Sequence, residues 1–199
     1  MAYERKDFYY RQAKEKGFKS RSAFKLLDLQ KKFRLIKPGM NIIDLGAAPG
    51  GWLQVSANLI GNSGKVIGID LESINGLQGK NIDFIQGSIE EAQTNRLLLT
   101  RIGRKVDLVL SDLAPHLSGV KFQDAFHSYL LAQKAFELCR LVLREGGNFV
   151  VKIFPGEELD DFRENLKNSF RKVSSYTSEA TRKSSIEIYL VAKGFIPLK

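Results

Sequence analysis

Residues 41–52 read Asn-Ile-Ile-Asp-Leu-Gly-Ala-Ala-Pro-Gly-Gly-Trp. Ile42, Ile43 and Leu45 form a short apolar run of the kind that makes a buried strand, and Asp44 closes it. Gly46, Gly50 and Gly51 follow, and a helical pattern resumes at Trp52, Leu53, Val55 and Leu59. A strand that breaks into a glycine-rich turn and then a helix is a ligand-cradling unit. Glycines let backbone N–H groups approach a bound molecule, and the helix N-terminus adds partial positive charge. A dinucleotide loop needs G-x-G-x-x-G, and Ala47-Ala48-Pro49 after Gly46 break that spacing. The turn is a poor pyrophosphate loop, which argues against a dehydrogenase.

The same grammar repeats along the chain. Lys37-Pro38-Gly39 is the turn into the first strand, and a helix covers 52–60. Strands follow at 65–70, 81–86, 105–112 and 148–154, with helical segments at about 90–102 and from Asp124, read as the cap, to Arg144. Glu145-Gly146-Gly147 is read as the stop of that long helix. A helix at 157–168 precedes two closing strands, 170–176 and 186–192, the second containing Glu187. Strands alternating with helices predict one α/β domain over 1–199, a Rossmann-like, seven-stranded, mostly parallel sheet with helices on both faces. Ligands of such sheets bind at the carboxyl ends of the strands. Asp70 ends the second strand, twenty-four residues beyond Gly46, where an acid accepts hydrogen bonds from ribose hydroxyls.

At 199 residues the chain is long enough to bury a core without staples. No apolar run suffices to span a bilayer, and the polar, aromatic start MAYERKDFYYR is unlike a signal peptide. The cytoplasm is the expected location. Cys139 can form no internal disulfide, and one Cys with two His supplies no metal-ligand cluster.

The net charge of +9 is unevenly placed. Residues 1–38 carry twelve Lys and Arg against four Asp and Glu, residues 39–162 eleven against fifteen, and residues 163–199 eight against three. An acidic-leaning middle between two basic ends is the distribution of a catalytic fold with a polyanion-binding rim. Residues 1–38 read as a basic helical extension ahead of a catalytic core at 39–199. One helix is expected over 4–16, ended by Lys16-Gly17, and a second, capped by Ser20, through Phe33. Arg21, Lys25, Lys31 and Lys32 interleave there with Phe24 and Phe33, a mixture suited to RNA, whose bases stack on rings while cations hold phosphates.

Two ionisable residues stand inside apolar strand patterns: Lys152 in VVKIF and Glu187 in SIEIYLV. Neither is expected to be buried without a partner. A structural ion pair, an edge position facing solvent and a reactive centre all account for them. Asp112 ends a strand where active sites gather, and Lys25 lies on the basic second helix.

Five segments, SRSAFKL around Lys25, DLGAAPGGW at 44–52, SDLAP at 111–115, VVKIF at 150–154 and SSIEIYLVA at 184–192, resemble the FtsJ/RlmE family of RNA ribose 2′-O-methyltransferases, in order and across nearly the whole chain. The resemblance implies S-adenosylmethionine as cofactor and a catalytic Lys-Asp-Lys-Glu tetrad at Lys25, Asp112, Lys152 and Glu187. It places cofactor contacts at Gly50, Trp52, Asp70 and Asp112, beside the Gly46 turn, and implies no metal. Bacterial members usually carry Asp after the third strand, near the adenine, where this chain has Ser88. Ser88 can still hydrogen-bond the base edge, and Ile89 offers a backbone N–H.

The implied chemistry moves a methyl from a sulfonium to a ribose hydroxyl held in line at roughly 3–3.5 Å. A weakly acidic alcohol must shed its proton as the bond forms. Lys152 either receives that proton or, remaining charged, stabilises the developing alkoxide while water takes it. Asp112 would orient Lys152 and close the cofactor pocket, Glu187 would hold the lysines or the ribose, and Lys25 would touch ribose or phosphate. The resemblance favours a uridine of large-subunit rRNA as target, with tRNA anticodon loops next. A catalytically silent RNA-binding assembly factor would share the fold. No obligate protein partner is evident.

Overall fold

The strand that begins with Asn41 lies in the middle of the sheet. A computed structural model describes residues 8–77, 79–181 and 186–197. Seven strands, β1 (Asn41–Leu45), β2 (Lys65–Asp70), β3 (Ile82–Gln86), β4 (Val106–Ser111), β5 (Leu143–Ile153), β6 (Phe170–Tyr176) and β7 (Ile188–Phe195), form one sheet in the order β3-β2-β1-β4-β5-β7-β6. The first five are mutually parallel, and β7 runs antiparallel between β5 and β6. The apolar runs of β1, β2, β4 and β5 are buried on both faces, as parallel strands covered by helices require.

Side-chain alternation sorts the core into two layers. Ile43, Leu45, Val109, Val151 and Leu190 face α5 (Lys121–Val142) and α6 (Leu159–Lys167), with Leu98 of α4 (Ala92–Ile102). Ile42, Leu108, Leu110, Val150 and Tyr189 face α2 (Ala23–Phe33) and α3 (Gly51–Ile60). The second helix of the basic N-terminal segment therefore supplies core residues, Ala23, Leu26 and Leu29. Helix α1 (Phe8–Glu15) packs on α2 through a smaller cluster in which Ala13, Phe24 and Ala180 are buried. Among the described residues, no helix is long and apolar enough to cross a membrane.

Several boundaries differ from the sequence reading. Ser20 does not cap α2; its hydroxyl pairs with Ser22 Oγ at 2.6 Å, and the helix begins at Ala23. Helix α5 starts at Lys121, so Asp124 lies in its first turn and accepts from Ser118 N–H and Oγ, tying down the preceding loop. The long helix ends at Val142, and Glu145-Gly146-Gly147 belong to an irregular start of β5, where the register with β4 shifts. Glu187 immediately precedes β7, which begins at Ile188. The part of the first helix expected over 4–7 lies outside the described residues.

Candidate active site

Between β1 and β4 the order of the strands reverses, and crevices form at the carboxyl ends of strands at such a point. A cleft of about 410 Å³ opens there, lined by Gly46, Ala48, Asp70, Ser88, Asp112 and His116 among others. Gly46 has φ +78°, and a Cβ on it would meet Leu113 N at 2.9 Å, so only glycine lets the turn after β1 lie against the turn after β4. Asp70 braces the cleft: Oδ2 accepts from Ala48 N–H at 2.8 Å and Oδ1 from Glu72 N–H at 2.9 Å. Each oxygen keeps a further lone pair for a ligand. Ser88 Oγ accepts from Glu90 N–H at 3.2 Å and still has its own proton to donate.

Four ionisable side chains form two ion pairs, one of which borders this cleft through Asp112. Lys152 Nζ donates to Asp112 O at 2.7 Å and lies 3.2 Å from Asp112 Oδ1. Lys25 pairs with Glu187, which also accepts from Thr181 Oγ1 at 3.1 Å. Lys152 and Glu187 are both buried, each about 6% exposed. Tyr189, two residues after Glu187 and in register with Lys152, donates its hydroxyl to Asp112 Oδ1 at 2.7 Å. Burial first, then the Asp112 and Glu187 carboxylates, hold the Tyr189 phenol well above its ordinary value. It is therefore a permanent donor. Tyr189 was not singled out from the sequence, where it reads as one more core aromatic; a Tyr in place of Phe on a buried strand does demand a partner for its hydroxyl.

Gly50 and Trp52 do not line the cleft. Gly50 faces Lys19, Ile74 and Leu77 at the start of α3. The Trp52 indole is buried against Tyr189, centroids 5.8 Å apart, and its N–H donates to Ser22 O at 2.8 Å. Trp52 therefore links α3 to the start of α2, three residues before Lys25. Gly51 permits this docking, since a Cβ there would collide with Ser20 Oγ.

Asp44 was also passed over, as the residue that closes a strand. Its side chain is fully buried, and neither carboxylate oxygen has a hydrogen-bond partner among the described residues. Burial first, then the nearby Asp112 and Asp70 carboxylates, push it well above the ordinary carboxylate range. Three acids thus gather at the carboxyl ends of three adjacent strands, and the carboxyl of one of them is held well above its ordinary range. Among the described residues, no group of three or more His, Cys, Asp or Glu side chains could hold a metal ion.

The two basic ends of the sequence meet in space. Lys193 Nζ donates to Phe33 O at 3.1 Å, Lys32 stands 4.4 Å from the Tyr176 ring centroid, and Arg21 donates to Ala180 O. This face flanks the Lys25–Glu187 pair.

Residues 18–195 match the family model of FtsJ-like methyltransferases. A protein of Alkalilimnicola ehrlichii named ribosomal RNA large subunit methyltransferase E is 48% identical over 190 residues, spanning 95% of this chain and 90% of its own. The crystal structure of a chain described as a ribosomal RNA methyltransferase, from Plasmodium falciparum, superposes with a TM-score of 0.81 at 31% identity, covering 91% of this chain and all of that one. Aeropyrum pernix fibrillarin, crystallised with natively bound S-adenosylmethionine, shares the fold with a TM-score of 0.59 at 19% identity, over 86% of this chain and 76% of its own.

Proposed function

Because this chain belongs to the FtsJ-like methyltransferase family, we propose that it methylates a ribose 2′-OH of large-subunit ribosomal RNA, with a uridine as the target. S-adenosylmethionine is the cofactor. The observation that carries the catalytic assignment is the pairing of Lys152 with Asp112 at the Gly46–Asp70 cleft, with Lys25 paired to Glu187 at the start of the strand that carries Tyr189.

The donors of the cleft fit the cofactor. Asp70 has lone pairs for ribose hydroxyls, Ser88 Oγ and the Ile89 backbone suit an adenine edge, and the Gly46 turn offers close backbone approach. When bound, S-adenosylmethionine supplies a methyl group on a positively charged sulfur. The chain's residues then have to orient a ribose hydroxyl and accommodate its developing negative charge. Lys152, already donating to Asp112, is placed to donate to that oxygen as well, while the hydroxyl proton leaves to water. Asp112 fixes Lys152 and borders the cleft, and Tyr189 fixes Asp112. Lys25, held by Glu187, supplies a cation for the substrate's phosphate or ribose.

The united basic face supports an RNA substrate, since cations there can replace the counterions of a polyanion. The cytoplasm, where ribosomal subunits mature, is the location this reading assigns.

Labelled methyl transfer tests the proposal with large ribosomal subunits, free rRNA and bulk tRNA from cells lacking the enzyme, the modified nucleotide being mapped afterwards. Label on a large-subunit ribose is expected, lost in Lys152→Ala and Asp112→Ala proteins that still fold. Label confined to tRNA would move the substrate, and no label from protein that binds the cofactor would favour a silent assembly factor.

A further inference from the structure

A second cleft, also of about 410 Å³, lies between α2 and the loop that follows β6, lined by Asp28, Lys31, Lys32, Tyr176, Thr177 and Glu179. Pockets of about 300–1,000 Å³ receive small-molecule-sized groups. This one adjoins the Lys25–Glu187 pair. Asp28 follows Lys25 by three positions on α2, so the two share a helix face. The opposite wall is the loop that serves Glu187: Ser178 donates to Asp28 Oδ2 at 2.6 Å, and Thr181 donates to Glu187 Oε1. A group seated here is a neighbour of whatever Lys25 and Glu187 hold.

The lining is an odd one for a phosphate-binding face. Lys31 and Lys32 suit a polyanion, but the carboxylates of Asp28 and Glu179 repel one. Such acids are tolerated where a donor edge of the ligand meets them. Nor is the cleft chiefly a stacking platform, because Lys32 stands over the Tyr176 ring and Phe33 packs edge-on against it at 5.6 Å. What remains is polar: two carboxylates, the Thr177 hydroxyl and the Tyr176 phenol. Burial first, then Asp28 and Glu179, raise that phenol, which keeps it a donor.

Carboxylates accept paired hydrogen bonds best from two adjacent N–H groups. Guanine carries N1–H beside its N2 amino group on the Watson–Crick edge. Uracil offers a single N–H between two carbonyls, and adenine and cytosine each set an amino group beside an acceptor nitrogen. Single-stranded RNA exposes those edges for reading. We propose that this cleft is a base-reading subsite for a guanine next to the target nucleotide, with its donor edge on Asp28 and Glu179 and its phosphate on Lys31 and Lys32. The subsite rests on the RNA-methylation reading above and extends it from chemistry to sequence preference.

Fluorescence anisotropy with single-stranded RNA hexamers tests it without turnover: one hexamer all uridine, one with a central guanosine. The wild-type chain should bind the guanosine hexamer roughly tenfold more tightly, the scale of one well-made base contact. Glu179→Gln and Asp28→Asn should bring that ratio close to one without weakening the uridine hexamer; Asn at 28 still accepts from Ser178. Lys31→Ala with Lys32→Ala should weaken both hexamers alike and flatten the salt dependence. Equal wild-type binding of the two hexamers, no binding of either, or a guanosine preference that survives both carboxylate variants would each overturn the subsite. Methyl transfer to large subunits, measured on the same preparations, reports on the catalytic reading separately. Absent transfer with an intact guanosine preference would count against that reading alone.

Discussion

Tyr189 donates its hydroxyl to Asp112 Oδ1 over 2.7 Å, across a separation of 77 residues in sequence. The same Oδ1 lies 3.2 Å from Lys152 Nζ, so one carboxylate oxygen is shared between a phenol and an ammonium. Tyr189 is fully buried and in register with Lys152, so its position is set by the sheet itself. The carboxylate that fixes the lysine is in turn fixed by the scaffold.

Tyr189→Phe tests this link. The ring and its packing against Trp52 remain, and only the hydroxyl is lost. A hydrogen bond to a charged group contributes about 1.5–3 kcal/mol. Turnover should fall roughly tenfold or more, with cofactor affinity little changed and the melting temperature lowered by a few degrees. Single-turnover methyl transfer checks the first part; an unchanged rate would confine Tyr189 to packing.

Asp44 gives a prediction about pH. Its folded-state carboxyl is held well above the ordinary range by burial, followed by Asp112 and Asp70. The folded chain therefore binds this proton more tightly than the unfolded chain does. Stability then falls as pH rises above the unfolded carboxylate range, and this contribution is lost as pH passes through the raised folded value. Asp44→Asn removes the ionisation while keeping the shape. The variant should gain on the wild type in melting temperature as pH is raised from 4 towards 8, the gap narrowing at the acid end. A gap independent of pH would mean that Asp44 is not held neutral.

The strands were legible because their apolar runs are short, rich in Ile and Val, and bounded by Gly, Pro or Asp, which separates a buried strand from a helix segment of the same hydrophobicity. Lys152 and Glu187 stood out because a charge within such a run needs an explanation, and the structure gives each a partner. Asp44 satisfies the same criterion but lies so near the strand's end that it read as punctuation. Asp124 has the identity of a helix cap, yet its carboxylate is engaged by Ser118 from the preceding loop, a contact that only the folded turn creates. The union of the two basic ends was invisible for another reason: it depends on β7 inserting between β5 and β6, a choice of strand order that no local pattern records.

Trp52 separates a structural role from a ligand contact. Its indole is buried between α2 and Tyr189, and Trp52 is not among the residues lining the cleft. Trp52→Phe should keep S-adenosylmethionine affinity within about twofold, as measured by calorimetry. It removes the bond to Ser22 O, which keeps the backbone N–H of Lys25 as a donor, and loosens α2 ahead of Lys25, so methyl transfer should drop several-fold, with a stability loss of about 1–3 kcal/mol for the lost hydrogen bond and lost volume. A large loss of cofactor affinity with undiminished stability would reverse the assignment.

The Lys25–Glu187 pair allows a double-mutant cycle that distinguishes function from scaffold. Both side chains are largely shielded, at 14% and 7% exposure, so removing one partner leaves the other charge with little solvent to replace it. Breaking a buried pair costs about 3–5 kcal/mol, whereas removing both charges is often nearly neutral. The partial exposure of Lys25 places this pair at or below the lower end of that range. Lys25→Met and Glu187→Gln should each lower the melting temperature, and the double variant should recover part of the loss. Activity should behave differently and fall in all three proteins, because Glu187→Gln leaves the Lys25 cation unheld and, once Lys25 is gone, neutralising Glu187 cannot restore a cation to the substrate side. Strict additivity in the stability cycle would mean that the pair is not coupled in solution. Recovery of methyl transfer in the double variant would make the pair a structural support and remove Lys25 from the catalytic group.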